Sequence, residues 1–145
     1  MPVMHEGEHA HRQHELKFRF IPGHFAICQL PADARVPEWA ATGPFVSVTR
    51  SGEELSIVCQ DEKVPNGTKA DRRWICLKLE GPFAFSQTGI LSSLIQPLAD
   101  RRIPIFAIST YETDYVLVKE EFAGLTLDTL RDAGHQLLSE EQAGM

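Results

Sequence analysis

The stretch WICLKLEGPFAFSQTGILSSLIQPLADRRIPIFAISTYETDYVLVKEEFAGLTLDTLRDAGHQLL, from Trp74 to Leu138, carries the pattern that decides the fold. Trp74 to Glu80 alternates apolar and polar residues with the period of two that a half-buried strand requires. Gly81-Pro82 breaks that run. Thr88-Gly89 then opens a helix, with Thr88 suited to cap it. Ile90, Leu91, Leu94, Ile95 and Leu98 form its apolar stripe. Pro97 within the stripe is expected to kink or shorten the helix. Ile103–Thr110 and Asp114–Glu120 form two strands joined through Tyr111, Glu112 and Thr113. A second helix runs from about Phe122 to Ala133, closed by Gly134. His135 to Leu138 make a last short strand.

The order is therefore β-α-β-β-α-β. Two interleaved right-handed crossovers place four antiparallel strands in one sheet with both helices on one face, the ferredoxin-like arrangement of an α+β protein. The first half repeats this in shortened form. Phe45–Arg50 and Glu54–Cys59 flank Ser51-Gly52-Glu53 and make a hairpin. Before it, Leu16–Ile21 is a strand stopped by Pro22-Gly23, and His24–Leu30 is a further strand. Pro31 and Pro37 leave room only for a short helix or turn between strand and hairpin. An internal repeat follows when Phe45–Thr49 is aligned with Phe106–Thr110 and Leu55–Val58 with Tyr115–Val118, with Glu54 and Asp114 beginning the second strands. The expected organisation is a flexible His-rich tail over 1–14, a first unit over 15–64, truncated, and a second, complete unit over 73–139. The two sheets would pair edge to edge or as a pseudo-symmetric couple.

Composition narrows the function. The 145 residues carry a formal net charge of −6, with 43% hydrophobic and 23% charged residues, as in an ordinary globular protein. No basic stripe is present to neutralise phosphates, so nucleic acid is not an expected partner. No apolar run reaches the roughly 18–20 residues of a membrane helix, and the polar N-terminus lacks the apolar core of a secretory signal. No membrane partner and a cytoplasmic location are expected. Cys28, Cys59 and Cys76 each lie in an apolar stretch and are expected as reduced core thiols. His5-Glu6-Gly7-Glu8-His9 has the HExxH spacing of a zinc site, but Gly7 and the polar surroundings deny it the packed helix that site needs. His24 and His135 are isolated beside apolar residues and are expected to be partly buried structural histidines. No nucleophile–base pair, P-loop or dinucleotide-binding glycine motif occurs. The expectation is a protein with no catalytic residues, no metal and no cofactor.

The stretch GPFAFSQTGILSSLIQPLADRRIPIFAISTYETDYVLVKEE resembles the ACT-domain family, above all in TGIL (Thr88–Leu91) and in FAISTYETDYVLV (Phe106–Val118). It resembles in particular the small bacterial ACT proteins related to the regulatory region of aspartokinases, and is similar to the domains of the animal cytosolic arginine sensors. FVSVTRSGEELSIVC, in the first half, looks like the companion unit of the same small proteins. The resemblance covers nearly everything from Leu16 to about Leu138. It implies tandem ACT units and regulation by a small ligand, usually an amino acid, bound between paired units. Carried onto this chain, the implied ligand-binding residues are Gly89, Ile90, Leu91, Thr110, Tyr111, Thr113 and Asp114, with Ser47 and Val48 as the partner surface. Elementary chemistry agrees. A helix start beside Gly89 offers free N–H groups and a positive dipole end to a carboxylate, while Asp114 offers a carboxylate to an ammonium.

Two expectations follow, in order. The first is a regulatory protein that binds an amino acid and transmits that state by a change of conformation or assembly, as a homodimer or to a regulated partner protein. The alternative is an oligomerisation or interaction module of the same fold with no small ligand, since unpaired sheet edges are adhesive. An enzyme built on the His-rich tail ranks last.

Overall fold

A computed structural model describes residues 14–81, 83–84 and 87–138. The strands are β1 (Lys17–Leu30), β2 (Ser47–Arg50), β3 (Leu55–Gln60), β4 (Ala70–Leu79), β5 (Phe106–Ser109), β6 (Asp114–Lys119) and β7 (Gln136–Leu137). The helices are α1 (Ile90–Asp100) and α2 (Ala123–Asp132). The second half thus has the β-α-β-β-α-β order expected of it. In the first half, three-residue 3-10 turns at Glu38–Ala40 and Asp61–Lys63 stand where helices would.

All seven strands form one sheet, ordered β2-β3-β1-β4-β6-β5, with β7 beside β1. The order is unchanged when β1, β2 and β3 are exchanged for β4, β5 and β6. The two halves are therefore related by a pseudo-twofold axis through the sheet, beside the Phe25–Trp74 pair where the central strands β1 and β4 meet antiparallel. The two expected sheets are one. β7 joins β1, in parallel, and not the edge of β4, because the N-terminal half of β1 already pairs with β4 through Phe18–Ile21 and Cys76–Leu79.

Two strand predictions are corrected. Leu16–Ile21 and His24–Leu30 are one long strand. Pro22-Gly23 does not end it, because the ladder with β4 shifts register between Ile21 and Phe25 and absorbs the interruption as a bulge, with Gly23 at φ +94°. The repeat also needs a different register. The first hairpin closes at Arg50–Leu55 and the second at Ser109–Asp114, each enclosing four residues, 51–54 and 110–113. Counted from these rungs, Leu55 is equivalent to Asp114, Ser56 to Tyr115, Thr49 to Ile108 and Arg50 to Ser109. Aligning Leu55 with Tyr115 slips the strand by one residue, which exchanges its two faces.

The faces have different covers. Leu77, Leu79, Val116 and Val118 pack under Leu94, Leu98 and Leu130 of the helices. On the same side of the other half, Leu55, Ile57 and Cys59 lie under Ala40 and Val64 of the short turns. The opposite face has no helix, yet Phe25, Cys76 and Leu117 on it are fully buried. The sheet coils over them. Phe45, just before edge strand β2, has its ring 4.3 Å from that of Tyr115 on β6, whereas four strand spacings would separate those positions by about 19 Å in a flat sheet.

Candidate functional site

The β5–β6 turn and the approach to α1 enclose a cavity of about 220 Å³, lined among others by Phe83, Gln87, Ile90, Thr110, Tyr111, Thr113 and Asp114. Five of the nine residues expected to bind ligand therefore meet there. The turn is tied internally. Thr110 N–H donates to the Thr113 carbonyl at 2.8 Å, as does the Thr110 hydroxyl at 3.0 Å. Buried Thr113 donates its hydroxyl to the Leu79 carbonyl at 2.7 Å, which anchors the turn to β4. Phe83 N–H donates to the Glu112 carbonyl and brings the segment after β4 over the same turn. Asp114 accepts a short hydrogen bond from the Ser109 hydroxyl. Glu112 and Asp114 make this lining acidic, and none of its lining residues is basic.

The other four expected residues are placed differently. Gly89, and not Thr88, caps α1, in the left-handed region at φ +81°. Its carbonyl accepts from the hydroxyls of Ser92 and Ser93. His14 folds against this helix start, with its ring nitrogen 3.1 Å from the Thr88 carbonyl and its N–H on the Ser93 hydroxyl. Leu91 packs against the helix-covered core. Ser47 lines a separate cavity of about 270 Å³ between the edge strands β2 and β5, and Val48 is exposed on the β2 edge. Ser109 lines both cavities, so the turn and the β2 edge adjoin through it.

The sequence reading missed Ser109 and Glu112 as part of this site. The signal was the hairpin equivalence of Ser109 with Arg50. In the first half, the Arg50 guanidinium reaches the carbonyls of Ala32 and Ala34, the latter at 2.8 Å, and spans the segment that follows β1. The small Ser109 makes no such bridge, and the second half keeps an open cavity at its turn.

Several polar groups outside this cavity have structural work. His135 is buried, with Leu16 N–H donating to Nδ1 at 3.1 Å and Nε2 facing the Ser93 carbonyl at 2.8 Å. His24, half-buried as expected of a structural histidine, contacts Glu120 at 3.0 Å. Arg73 also binds Glu120, and its hydrogen bond holds that carboxyl below its usual range. Lys119 does the same for Asp71. The three cysteines are buried and free. The Cys59 thiol donates to the Gln60 carbonyl, and its neighbour Cys28 and burial push it up, while burial pushes Cys76 up. Among the described residues no cluster of His, Cys, Asp and Glu has the arrangement of a metal site. The HExxH segment lies outside the described residues. No described helix is long and apolar enough to cross a membrane.

Comparison with known proteins gives this geometry a lineage. A family model described as the ACT domain matches residues 69–132, and a second, describing an N-terminal domain, matches residues 23–67. The human protein CASTOR3P is 34% identical over 63% of this chain and 72% of its own length. The bovine cytosolic arginine sensor for mTORC1 subunit 1 is 29% identical over 59% of this chain, which spans only 30% of that sensor. A crystal structure from Agobacterium tumefaciens matches with a TM-score of 0.82 at 42% identity, covering 86% of this chain and 93% of that one. Aspartate kinase of Clostridium acetobutylicum shares the fold at a TM-score of 0.59 and 12% identity, covering 77% of this chain and 33% of the kinase. With these matches and this sheet, the chain belongs to the ACT-domain family.

Proposed function

We infer that the protein is a cytoplasmic, non-enzymatic regulator that binds a free amino acid in the cavity at the β5–β6 turn. One observation carries this reading: Asp114, Glu112, Thr110 and the first residue of α1 line the same cavity. Its acidic turn suits an α-ammonium, and the first-turn N–H groups of α1, which a helix leaves without an internal partner, suit a carboxylate. The amino-acid ligand named in the arginine sensor's description agrees with that chemistry. The division into a first unit over 15–64 and a second over 73–139 belongs to this reading, as does the partner surface at Ser47 and Val48. Occupancy would favour one packing of the two halves over another and pass to a homodimer or a regulated protein by population shift.

A thermal-shift screen against the free amino acids tests it. A ligand at about a hundred times its Kd adds about 2.7 kcal/mol of stability. The expected result is a responder whose effect disappears in Asp114→Ala. If every responder acts equally on Asp114→Ala, the turn cavity is not its site.

The second reading is an assembly module. It draws on the two edge strands, β2 and β5, whose outer sides have no strand partner among the described residues. Light scattering across a concentration series separates the two. Assembly that ignores amino acids, together with a flat ligand screen, favours this alternative.

A further inference from the structure

The two halves of the sheet differ sharply at two equivalent positions. Ser56 stands where the other half has Tyr115, and Thr49 where it has Ile108. Tyr115, stacked on Phe45, and Ile108 pack into the inner, helix-free face. Ser56 and Thr49 leave the matching volume open. A cleft of about 570 Å³ lies there over Ile27 and Gln29 of β1, with Phe106 of the far edge strand among its walls. The smaller cavity between β2 and β5 adjoins it, sharing Thr49, Ser56 and Phe106. This volume is in the range of sites that hold small molecules.

The charges in the lining are of both signs. Asp71 is matched by Lys119, with Nζ at 2.6 Å. Lys69 and Glu54 are not matched in this way. Among the described residues the Lys69 ammonium has no hydrogen-bond or ion-pair partner, while its carbonyl, accepting Gln29 N–H at 3.0 Å, seats the residue beside β1. The Glu54 carboxylate accepts one hydrogen bond among the described residues, from the Gln29 amide at 2.9 Å, and forms no ion pair among them. The hydroxyls of Thr49 and Ser56 likewise have no partner among them. One cation, one anion, two hydroxyls and an apolar wall of Ile27 and Phe106 complement a small zwitterion with an apolar side chain. We propose that this cleft is a second ligand site, for a free amino acid, separate from the turn cavity. A molecule seated there touches β1 and β3 of one half and Phe106 of the other, so its binding favours the closed coil of the sheet.

The test is a calorimetric panel of the twenty L-amino acids on the full chain and on Ser56→Tyr, Glu54→Gln and Asp114→Ala. Ser56→Tyr places in the cleft the residue that the other half uses to fill it. Glu54→Gln removes the anion and keeps the shape, and carries the test if Ser56→Tyr fails to fold. At least one amino acid is expected to bind more than about fivefold more weakly to Ser56→Tyr and to Glu54→Gln, and within about twofold of parent affinity to Asp114→Ala. Any other pattern, including a panel with no responder, overturns the proposal. Loss in Asp114→Ala alone overturns it while supporting the turn cavity, so the two readings fail separately.

Discussion

Pro97 has no N–H, so the carbonyl of Ser93, four residues before it in α1, loses its helical donor. His135 faces that carbonyl from after α2, with Nε2 at 2.8 Å, and its Nδ1 takes the N–H of Leu16 at 3.1 Å. With Leu16 N–H donating to Nδ1, the ring proton belongs on Nε2, which donates it to the Ser93 carbonyl. One side chain therefore supplies the donor that proline removed and ties the start of β1 to both helices. His135→Leu would leave two buried backbone groups without partners, a loss of about 2–4 kcal/mol in chemical denaturation. Pro97→Ala restores an N–H for Ser93. In a double-mutant cycle, His135→Leu should therefore cost about 1 kcal/mol less on the Pro97→Ala background than on the parent. Equal costs on both backgrounds would remove the link between the two residues. In the sequence, His135 could be read as a partly buried structural histidine, but without its partners. Its partners lie 42 and 119 positions away in the chain, and local pattern carries no trace of them.

At the scale of the element, the two helices end in the same way with different residues. After α1, Arg102 N–H bonds the Ala99 carbonyl and Ile103 N–H the Leu98 carbonyl. After α2, Gly134 bonds Arg131 and His135 bonds Leu130. Both are Schellman ends, which place one residue in the left-handed region. Gly134 takes φ +95° there, and Arg102 takes +61°. Glycine meets this requirement without strain, whereas arginine carries a Cβ that the conformation disfavours. Arg102→Gly should therefore raise stability by about 0.5–1 kcal/mol, less the backbone freedom glycine adds to the unfolded chain. Gly134→Ala should lower it by about 1 kcal/mol. A Cβ at Gly134 would come no closer than 3.6 Å to Glu15, an ordinary contact, so that loss comes from the backbone. Melting curves of the two variants should move in opposite directions. The Gly134 stop was legible because glycine announces the conformation. The Arg102 stop was not, because only the turn's hydrogen bonds impose it.

At the scale of the molecule, the strands β1, β4 and β6 are joined near the pseudo-twofold axis by charges as well as by ladders. Arg73 and His24 meet at Glu120, and Lys119 meets Asp71. Hydrogen bonds from Arg73 and from Lys119 hold the Glu120 and Asp71 carboxyls below their usual ranges. Such groups bind fewer protons in the folded chain than in the unfolded one. Their stabilisation is present above the ordinary carboxylate range and is lost as pH falls through the folded values. The melting temperature should therefore drop between about pH 5 and pH 3. Glu120→Gln combined with Asp71→Asn should flatten that drop, and so should high salt, since both groups are largely solvated. A double variant with an unchanged acid profile would place the acid sensitivity elsewhere.

The sequence by itself determined which segments are strands and helices in the second half, and that the first half repeats it with its helices cut short. Those facts are local. Apolar periodicity, Gly134, and prolines 31 and 37 act within a few residues of themselves. Tertiary structure alone decided that Lys17–Leu30 is a single strand, because the register shift that accommodates Pro22-Gly23 exists only against β4. It also set the register of the repeat. An alignment of apolar letters accepts a slip of one residue, but a pleated sheet with a core on each face does not. Once the rungs at Arg50–Leu55 and Ser109–Asp114 are known, Ser56 falls opposite Tyr115 and Arg50 opposite Ser109. Those two exchanges are why one half keeps an open cleft on its inner face and the other an open cavity at its turn. Both depend on which side of a strand a residue faces, and the sheet assigns that only when it pairs.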